Sequence, residues 1–287
     1  MERQLKSEIL KTLGYFSYFE HPLKKEEILS YLAVKTNNYE LSNALNELVK
    51  ENTIHEGKGY FAQDKRYIEL RIANEKLNTR LLYLGKIIGQ FIRIFPFVKG
   101  VYISGSLSKL GAKGKDYDID YFIIASPNRI WTAKLFLMAF KKLFLLNSKR
   151  FFCINFIRSQ NYLKMDKRNI FIATEISSLV TVYNADLLTN LKKQNAWVQD
   201  FFPNIEIPNS PPEKIKSPRT GVVEWLLNGQ LGDKLENRVM QLYSNRTKRE
   251  IKKQKSAYTE ITKSSAAIFL HSPEESVIDH YYKNIKS

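Results

Sequence analysis

Apolar residues recur along the chain with two different periods, and the change of period marks the predicted elements. In the first part they recur at helical spacing, which predicts helices over residues 2–19, 24–32 and 39–51. A short hairpin is predicted at residues 53–62, where Gly57 and Gly59 supply the turn. The first 64 residues are therefore expected to form three helices and a glycine-tipped hairpin.

The next part of the chain mixes helical periods with short apolar runs that are typical of buried strands. A long helical pattern at 64–94 leads into it. Strands are predicted at 98–104, 117–125 and 151–157, and helices at 131–146, 171–183 and 185–202. This alternation predicts an α/β (α+β) fold in which helices flank a mixed sheet.

The amino-acid composition of the chain after residue 202 indicates two further parts. Residues 203–218 contain five prolines, which predicts an extended surface connection. Beyond it the pattern predicts helices, with a basic stretch at 246–263 that carries seven Lys/Arg against two Glu. This stretch is either a solvated face or a surface that follows a phosphate backbone. We expect three domains: 1–64, a core with its leading long helix at 65–190, and a helical, basic region at 191–287.

Charge is distributed unevenly between these parts. Residues 1–63 contain eight Lys/Arg against nine Asp/Glu, and the whole chain has a formal net charge of +16. The three helices and hairpin resemble a winged-helix domain, but groove binding depends on neutralising phosphates. The near-neutral segment is therefore expected to pack on the next domain or on a protein partner. The rest of the chain is the part expected to meet a polyanion, such as a nucleotide or nucleic acid.

Several function classes are disfavoured by residue counts. The single cysteine, Cys153, excludes an internal disulfide framework and a multi-cysteine zinc site. The four histidines lack metal-ligand spacing. The most apolar helix candidate, residues 130–146, is interrupted by three lysines, so we expect a cytoplasmic protein without membrane contact. The oligomeric state is left open.

The candidate chemistry lies in "VYISGSLSKLGAKGKDYDIDYFIIA", residues 101–125. Side chains alternate along a strand, so Asp118 and Asp120 share one face. Two neighbouring carboxylates repel each other unless a cation lies between them, and Mg²⁺ accepts one or two carboxylates together with substrate phosphates. Upstream, Gly105 permits a sharp turn, and Ser106 offers a hydroxyl and an amide to a phosphate.

A glycine-serine pair after one strand, followed by "DIDYFII", resembles the DNA polymerase beta-like nucleotidyltransferase superfamily. The resemblance implies that Gly105 and Ser106 contact the triphosphate of a nucleotide and that Asp118 and Asp120 bind Mg²⁺ or Mn²⁺. Residues 195–204, "NAWVQDFFPN", also resemble a stretch that follows the core in bacterial proteins with a helical leading domain. Lys113 is a further candidate for balancing triphosphate charge.

The family takes a third carboxylate from a later strand, and this chain departs from that pattern. The expected strand is "FFCINFIRS", whose inward polar candidate is Asn155. An amide binds Mg²⁺ more weakly than a carboxylate and cannot act as a base. Three accounts stay open: a one-metal or slow transferase, a replacement carboxylate from Asp116 or Glu175, or nucleotide binding without chemistry. Glu175 has apolar neighbours, so a buried salt bridge or hydrogen bond is its other interpretation.

These residues predict a Mg²⁺-dependent nucleotidyltransferase that moves a nucleoside monophosphate from a nucleoside triphosphate to an acceptor hydroxyl, with RNA favoured as the acceptor by the positive charge. A catalytically impaired nucleotide- or nucleic-acid-binding regulator and a nucleotidyltransferase-type toxin are the alternatives.

Overall fold

The chain folds as a mixed α/β structure. A computed structural model describes residues 2–114, 117–145, 150–207, 221–251, 258–269 and 273–286. In the N-terminal region the structure has six elements: α1 (Glu2–Ser17), β1 (Leu23–Lys24), α2 (Lys25–Tyr31), α3 (Asn38–Lys50), β2 (His55–Gly57) and β3 (Tyr60–Ala62). The strands form a small antiparallel sheet in the order β1-β3-β2. The strand β1 was not predicted, because two residues are too few to show an alternating pattern.

A long helix, α4 (Lys65–Ile92), follows the hairpin. Asp64 begins it by accepting a hydrogen bond from the Arg66 amide at 2.9 Å. The buried face of this helix includes Gly85 and Gly89, and a Cβ added at Gly89 would lie 2.7 Å from a methyl of Val182. The two glycines let the helix approach the main sheet closely.

The main sheet has six strands in the order β7-β4-β5-β6-β9-β8. They are β4 (Val98–Ser104), β5 (Asp120–Ala125), β6 (Cys153–Ser159), β7 (Val180–Tyr183), β8 (Tyr258–Ile261) and β9 (Ser265–Phe269). Strands β5 and β6 run parallel, and the other neighbouring pairs run antiparallel. The predicted bounds of β4 are those of the structure.

Helices cover both faces of this sheet. They are α5 (Gly105–Ser108), α6 (Ile130–Phe144), α7 (Ile170–Ser177), α8 (Ala185–Gln194), α9 (Val198–Phe201), α10 (Gly221–Leu226), α11 (Gln230–Ile251) and α12 (Glu274–Lys286). One face packs Val101, Tyr121 and Ile123 against α4 and α6. The other packs Phe122 and Ile124 against α7, α12 and the N-terminal helices. No helix in the described residues is both long enough and apolar enough to cross a bilayer.

Two predicted helical regions contain strands. The helix predicted at 171–183 ends at Ser177, and the β-branched run that follows forms β7 at the edge of the sheet. The region 191–287, expected to be helical, contributes the hairpin β8-β9, which pairs with β6. Pairing between strands that are a hundred residues apart leaves no local period in the sequence.

Two asparagines in the stretch at residues 195–204 form hydrogen bonds with the core and with the N-terminal region. Asn195 is fully buried, and its Oδ1 accepts a hydrogen bond of 2.7 Å from the Met165 amide. Asn204 accepts from the Thr36 amide at 3.2 Å and donates to the Val34 carbonyl at 2.8 Å. These side-chain amides satisfy loop backbone groups that burial would otherwise leave unpaired.

A second junction lies around His21, which is buried between α1 and α4. Arg71 Nη1 lies 3.0 Å from each nitrogen of the imidazole ring and donates to the Lys109 carbonyl at 2.9 Å. Burial lowers the pKa of His21 well below its ordinary value, and the charges of Arg71, Lys109 and Lys113 lower it further. The imidazole is therefore neutral in the folded protein.

We expect the free energy of unfolding to fall as the pH drops below about 6.5, where a histidine of the unfolded chain takes up a proton and folded His21 does not. His21→Gln should reduce this slope by up to about 1.4 kcal/mol per pH unit. Urea unfolding between pH 5 and pH 7.5 measures it, with His55→Gln as the matched control. A slope equal to that of the wild type in His21→Gln would show that His21 is not the group responsible.

Candidate functional site

The candidate site forms where β4 ends and β5 begins. These antiparallel strands pair Ser104 with Asp120, so residue 105 lies beside the Asp120 side chain although fifteen positions separate them. The short helix α5 starts at this point, and Ser106 is exposed on its first turn. Register alone therefore brings the glycine-serine turn and the second aspartate together.

Gly105 has the backbone conformation that the turn requires. Its φ is +66°, and a Cβ added there would lie 2.3 Å from Asp120 Oδ2. A contact of that length is sterically impossible, so the carboxylate occupies space that only glycine leaves open. Both the left-handed backbone and the close approach disfavour any other residue at this position.

Asp118 lies just outside the sheet. The strand was predicted from Tyr117, whereas β5 starts at Asp120. Asp118 is exposed on the segment that leads into it, while Ile119 is buried and its amide donates to the Arg150 carbonyl at 3.0 Å. The charge of Asp118 nevertheless acts on Asp120. The two aspartates are electrostatic neighbours with different exposure.

Asp120 is held in an unfavourable environment for a charged carboxylate. Burial raises its pKa to about 7; the negative charges of Asp118 and Glu175 also raise it, while a hydrogen bond with Cys153 and the charge of Lys109 lower it. Burial together with Asp120 raises the pKa of the Cys153 thiol to about 12. Cys153 therefore stays protonated, as expected of a structural thiol.

The two candidates for a third ligand both face the cavity beside Asp120. Asn155 lies on β6 where the register shifts between Ile154 and Phe156, and its Oδ1 lies 3.4 Å from Cys153 Sγ. Glu175, on α7, forms an ion pair of 2.7 Å with Lys109. Glu175 thus lines the cavity and also forms the salt bridge that was its alternative interpretation.

Two lysines near the site, Lys113 and Lys109, have different partners. Lys113 donates to the Phe19 carbonyl at 2.7 Å and to Glu20 at 2.6 Å, so its ammonium joins the N-terminal region and is not part of the cavity wall. Lys109 is the lysine at the site, donating to the Gly105 carbonyl at 3.0 Å and to Glu175. Its position four residues after Gly105, one helical turn, is the signal that could have identified it. Asp116 lies outside the described residues.

A cavity of about 270 Å³ opens beside these residues. Polar groups gather at its Gly105 end, where Asp120, Asn155 and Glu175 face it. Five phenylalanines line it as well: Phe16, Phe19, Phe122, Phe156 and Phe171. Phe16 comes from α1 and Phe19 from the turn that follows it, so the N-terminal region closes the cavity from one side.

We expect Gly105→Ala to lower the free energy of unfolding by about 3 kcal/mol, from the positive φ and the clash with Asp120 combined. Gly59→Ala is the control, because Gly59 also has a positive φ, of +78°, but nothing lies within 4 Å of an added Cβ. It should cost only about 1 kcal/mol.

In an Asp120→Ala background, the additional cost of Gly105→Ala should fall to about that of Gly59→Ala, because the steric partner is gone. Denaturant unfolding of the four variants measures this. Equal costs of Gly105→Ala in both backgrounds would contradict the close approach.

No protein-family model, curated protein or solved structure matches the chain. Among the described residues, no three His, Cys, Asp or Glu side chains are grouped so as to hold a metal ion by themselves. A cation bound here would need ligands from water or from a substrate. The site therefore offers a half-buried carboxylate beside a glycine turn, a second carboxylate at the surface, and a cavity that adjoins the first of them.

Proposed function

We propose that this chain is a Mg²⁺-dependent nucleotidyltransferase of the DNA polymerase beta-like type. The observation that carries the proposal is the packing of Asp120 into the space that Gly105 leaves empty. This contact fixes a carboxylate next to the backbone of a glycine-serine turn. A triphosphate at the turn and a cation at the carboxylate would then be neighbours.

The residues present fit a hard divalent cation. Asp120 is a half-buried carboxylate whose pKa is raised first by the loss of hydration and then by the negative charges of Asp118 and Glu175, and Asp118 adds a second carboxylate from the solvent side. Oxygen ligands of this kind suit Mg²⁺ or Mn²⁺, which keep several waters and bind substrate phosphates. The bound cation would neutralise charge on the phosphates. Asp118 and Asp120 would hold it, while Gly105 and Ser106 would orient the triphosphate.

The proposed reaction is a displacement at the α-phosphorus of a nucleoside triphosphate. The acceptor hydroxyl oxygen forms the new bond to that phosphorus, and the bond from the phosphorus to the α,β-bridging oxygen breaks. Pyrophosphate leaves with that oxygen, and the hydroxyl proton is released to water. The chain contributes positioning and charge neutralisation, which are large terms in phosphoryl-type transfer.

A second candidate function is nucleotide binding without turnover. Asn155 supports it, because the polar side chain that β6 brings to the cavity is an amide, which binds Mg²⁺ more weakly than a carboxylate and cannot act as a base. The pairing of Glu175 with Lys109 supports it as well, since that carboxylate already has a cation partner. Under this candidate the chain is a sensor or regulator.

Incubation with labelled nucleoside triphosphates, Mg²⁺ and either total RNA or a small-molecule extract tests the proposal. We expect labelled product and released pyrophosphate from the wild type. Asp118→Asn and Asp120→Asn should each lower the rate at least about 100-fold, because each removes a metal ligand. Asp279→Asn, which changes an exposed aspartate of α12, should leave it unchanged.

Equal labelling by the wild type and by the Asp118→Asn/Asp120→Asn double variant would refute the transferase. Mg²⁺-dependent nucleotide binding without pyrophosphate release, lost in the double variant, would support the sensor instead. Growth arrest on expression of the wild type, absent with the double variant, would indicate a toxin.

A further inference from the structure

Much of the wall of the cavity beside Asp120 is apolar, and neither the phosphates nor the metal of the proposed function would use that part of it. Beyond the five phenylalanines, the apolar side chains in its wall are those of Met165, Ile172, Ile176, Leu179 and Pro273. Phe122 and Phe156 lie side by side on β5 and β6, with ring centroids 5.1 Å apart and planes within 8° of parallel. Apolar, aromatic walls of this kind bind flat apolar groups.

Unless a metal ion is bound, the charges in the wall argue against an anionic ligand. Its one described lysine, Lys109, is engaged by Glu175 and by the Gly105 carbonyl, and no arginine is among the described lining residues. Glu274, from α12, adds a carboxylate that Lys167 and Asn169 bind. A carboxylate or phosphate placed deep in the cavity would meet Asp120 without a compensating cation.

The hydrogen-bonding groups of the wall that are nearest to Gly105 are oxygen acceptors. They belong to Asp120, Asn155 and Glu175, whereas the phenylalanine side chains offer only hydrocarbon. His21 also lines the cavity, but its ring lies against Arg71. A nucleobase, with polar atoms along its edges, would leave most of them unpaired against the phenylalanines. A ligand with one donor on an aromatic body matches both the acceptors and the phenylalanines.

We propose that this cavity binds a small, uncharged aromatic alcohol, with its hydroxyl toward Asp120 and Asn155 and its ring among the phenylalanines. That the bound hydroxyl is the nucleotidyl acceptor rests on the proposed function; the binding does not. The excess positive charge of the chain lies outside this wall, so it bears on surface contacts and not on the occupant. A polynucleotide chain is too large and too anionic for 270 Å³.

Calorimetric titration of the full chain with 2-naphthol tests the binding. We expect a dissociation constant of about 0.01 to 1 mM without nucleotide. The same titration with 2-naphthoate and with glucose should give binding at least about tenfold weaker, because one is anionic and the other lacks an apolar body. Naphthoate or glucose binding as tightly as naphthol would overturn the proposal.

Variants locate the site. Phe171→Ala should weaken naphthol binding about tenfold by removing one aromatic wall. Phe201→Ala is the matched control: Phe201 is a half-buried phenylalanine on neighbouring α9 that does not line this cavity. Both variants are first compared by near-ultraviolet circular dichroism. Equal weakening in both, or a crystal structure in which residues of the chain itself fill the cavity, would contradict the assignment.

The acceptor role has a separate readout. Labelled ATP, Mg²⁺ and naphthol should yield a nucleotidyl naphthol and one pyrophosphate per product, and Phe171→Ala should raise the naphthol KM more than it lowers kcat. Naphthol bound but unlabelled, with RNA labelled, would overturn the acceptor role alone. Naphthol bound and nothing labelled would refute the proposed function and leave the binding site standing.

Discussion

The site depends on a contact between a carboxylate and a residue with no side chain. Asp120 occupies the volume where any other residue at 105 would place its Cβ. The contact requires β4 and β5 to pair in their observed register, because a shift of one residue would turn Asp120 to the opposite face. It also requires the positive φ of Gly105. Fold and site are therefore coupled through one pair of residues.

The cavity shows that distant parts of the chain build one site. Its wall combines α1, the end of β4, the start of β5, the middle of β6, α7 and the start of α12. The N-terminal region contributes Phe16, Phe19 and His21, and the Asn204 and Arg71 contacts hold that region in place. The N-terminal region is thus part of the cavity wall. A movement of α1 would change the shape of the cavity directly.

Local sequence signals predicted the parts of the fold that local forces determine. The strand β4 and the helices α3 and α4 lie where their apolar periods indicate, and Asn37 and Asp64 begin those helices. The glycine-serine turn was predicted for the same reason, since a sharp turn and a close approach are properties of glycine. The turn lies beside Asp120 because β4 and β5, which follow each other along the chain, pair with each other.

What the sequence did not reveal depends on long-range contacts. The strands β7, β8 and β9 form because the sheet offers edges to them, and a local pattern does not record this. Lys113 and Lys109 look alike in the sequence, yet one pairs with Glu20 and the other with Glu175. The phenylalanine wall looks like ordinary core until α1 and α7 are seen to face each other across a space. Asn155 lies where the pairing of β5 with β6 shifts by one residue, and no residue in the sequence indicates that shift.

The central claim is that Gly105, Ser106, Asp118 and Asp120 hold a metal-bound triphosphate. A crystal structure of the protein with a non-hydrolysable nucleoside triphosphate and Mg²⁺ tests it most directly. The account predicts phosphate oxygens against the backbone of Gly105 and Ser106 and an ion bound by Asp118 and Asp120. A nucleotide bound elsewhere, or Asp120 paired with a protein cation and no ion beside it, would contradict the account.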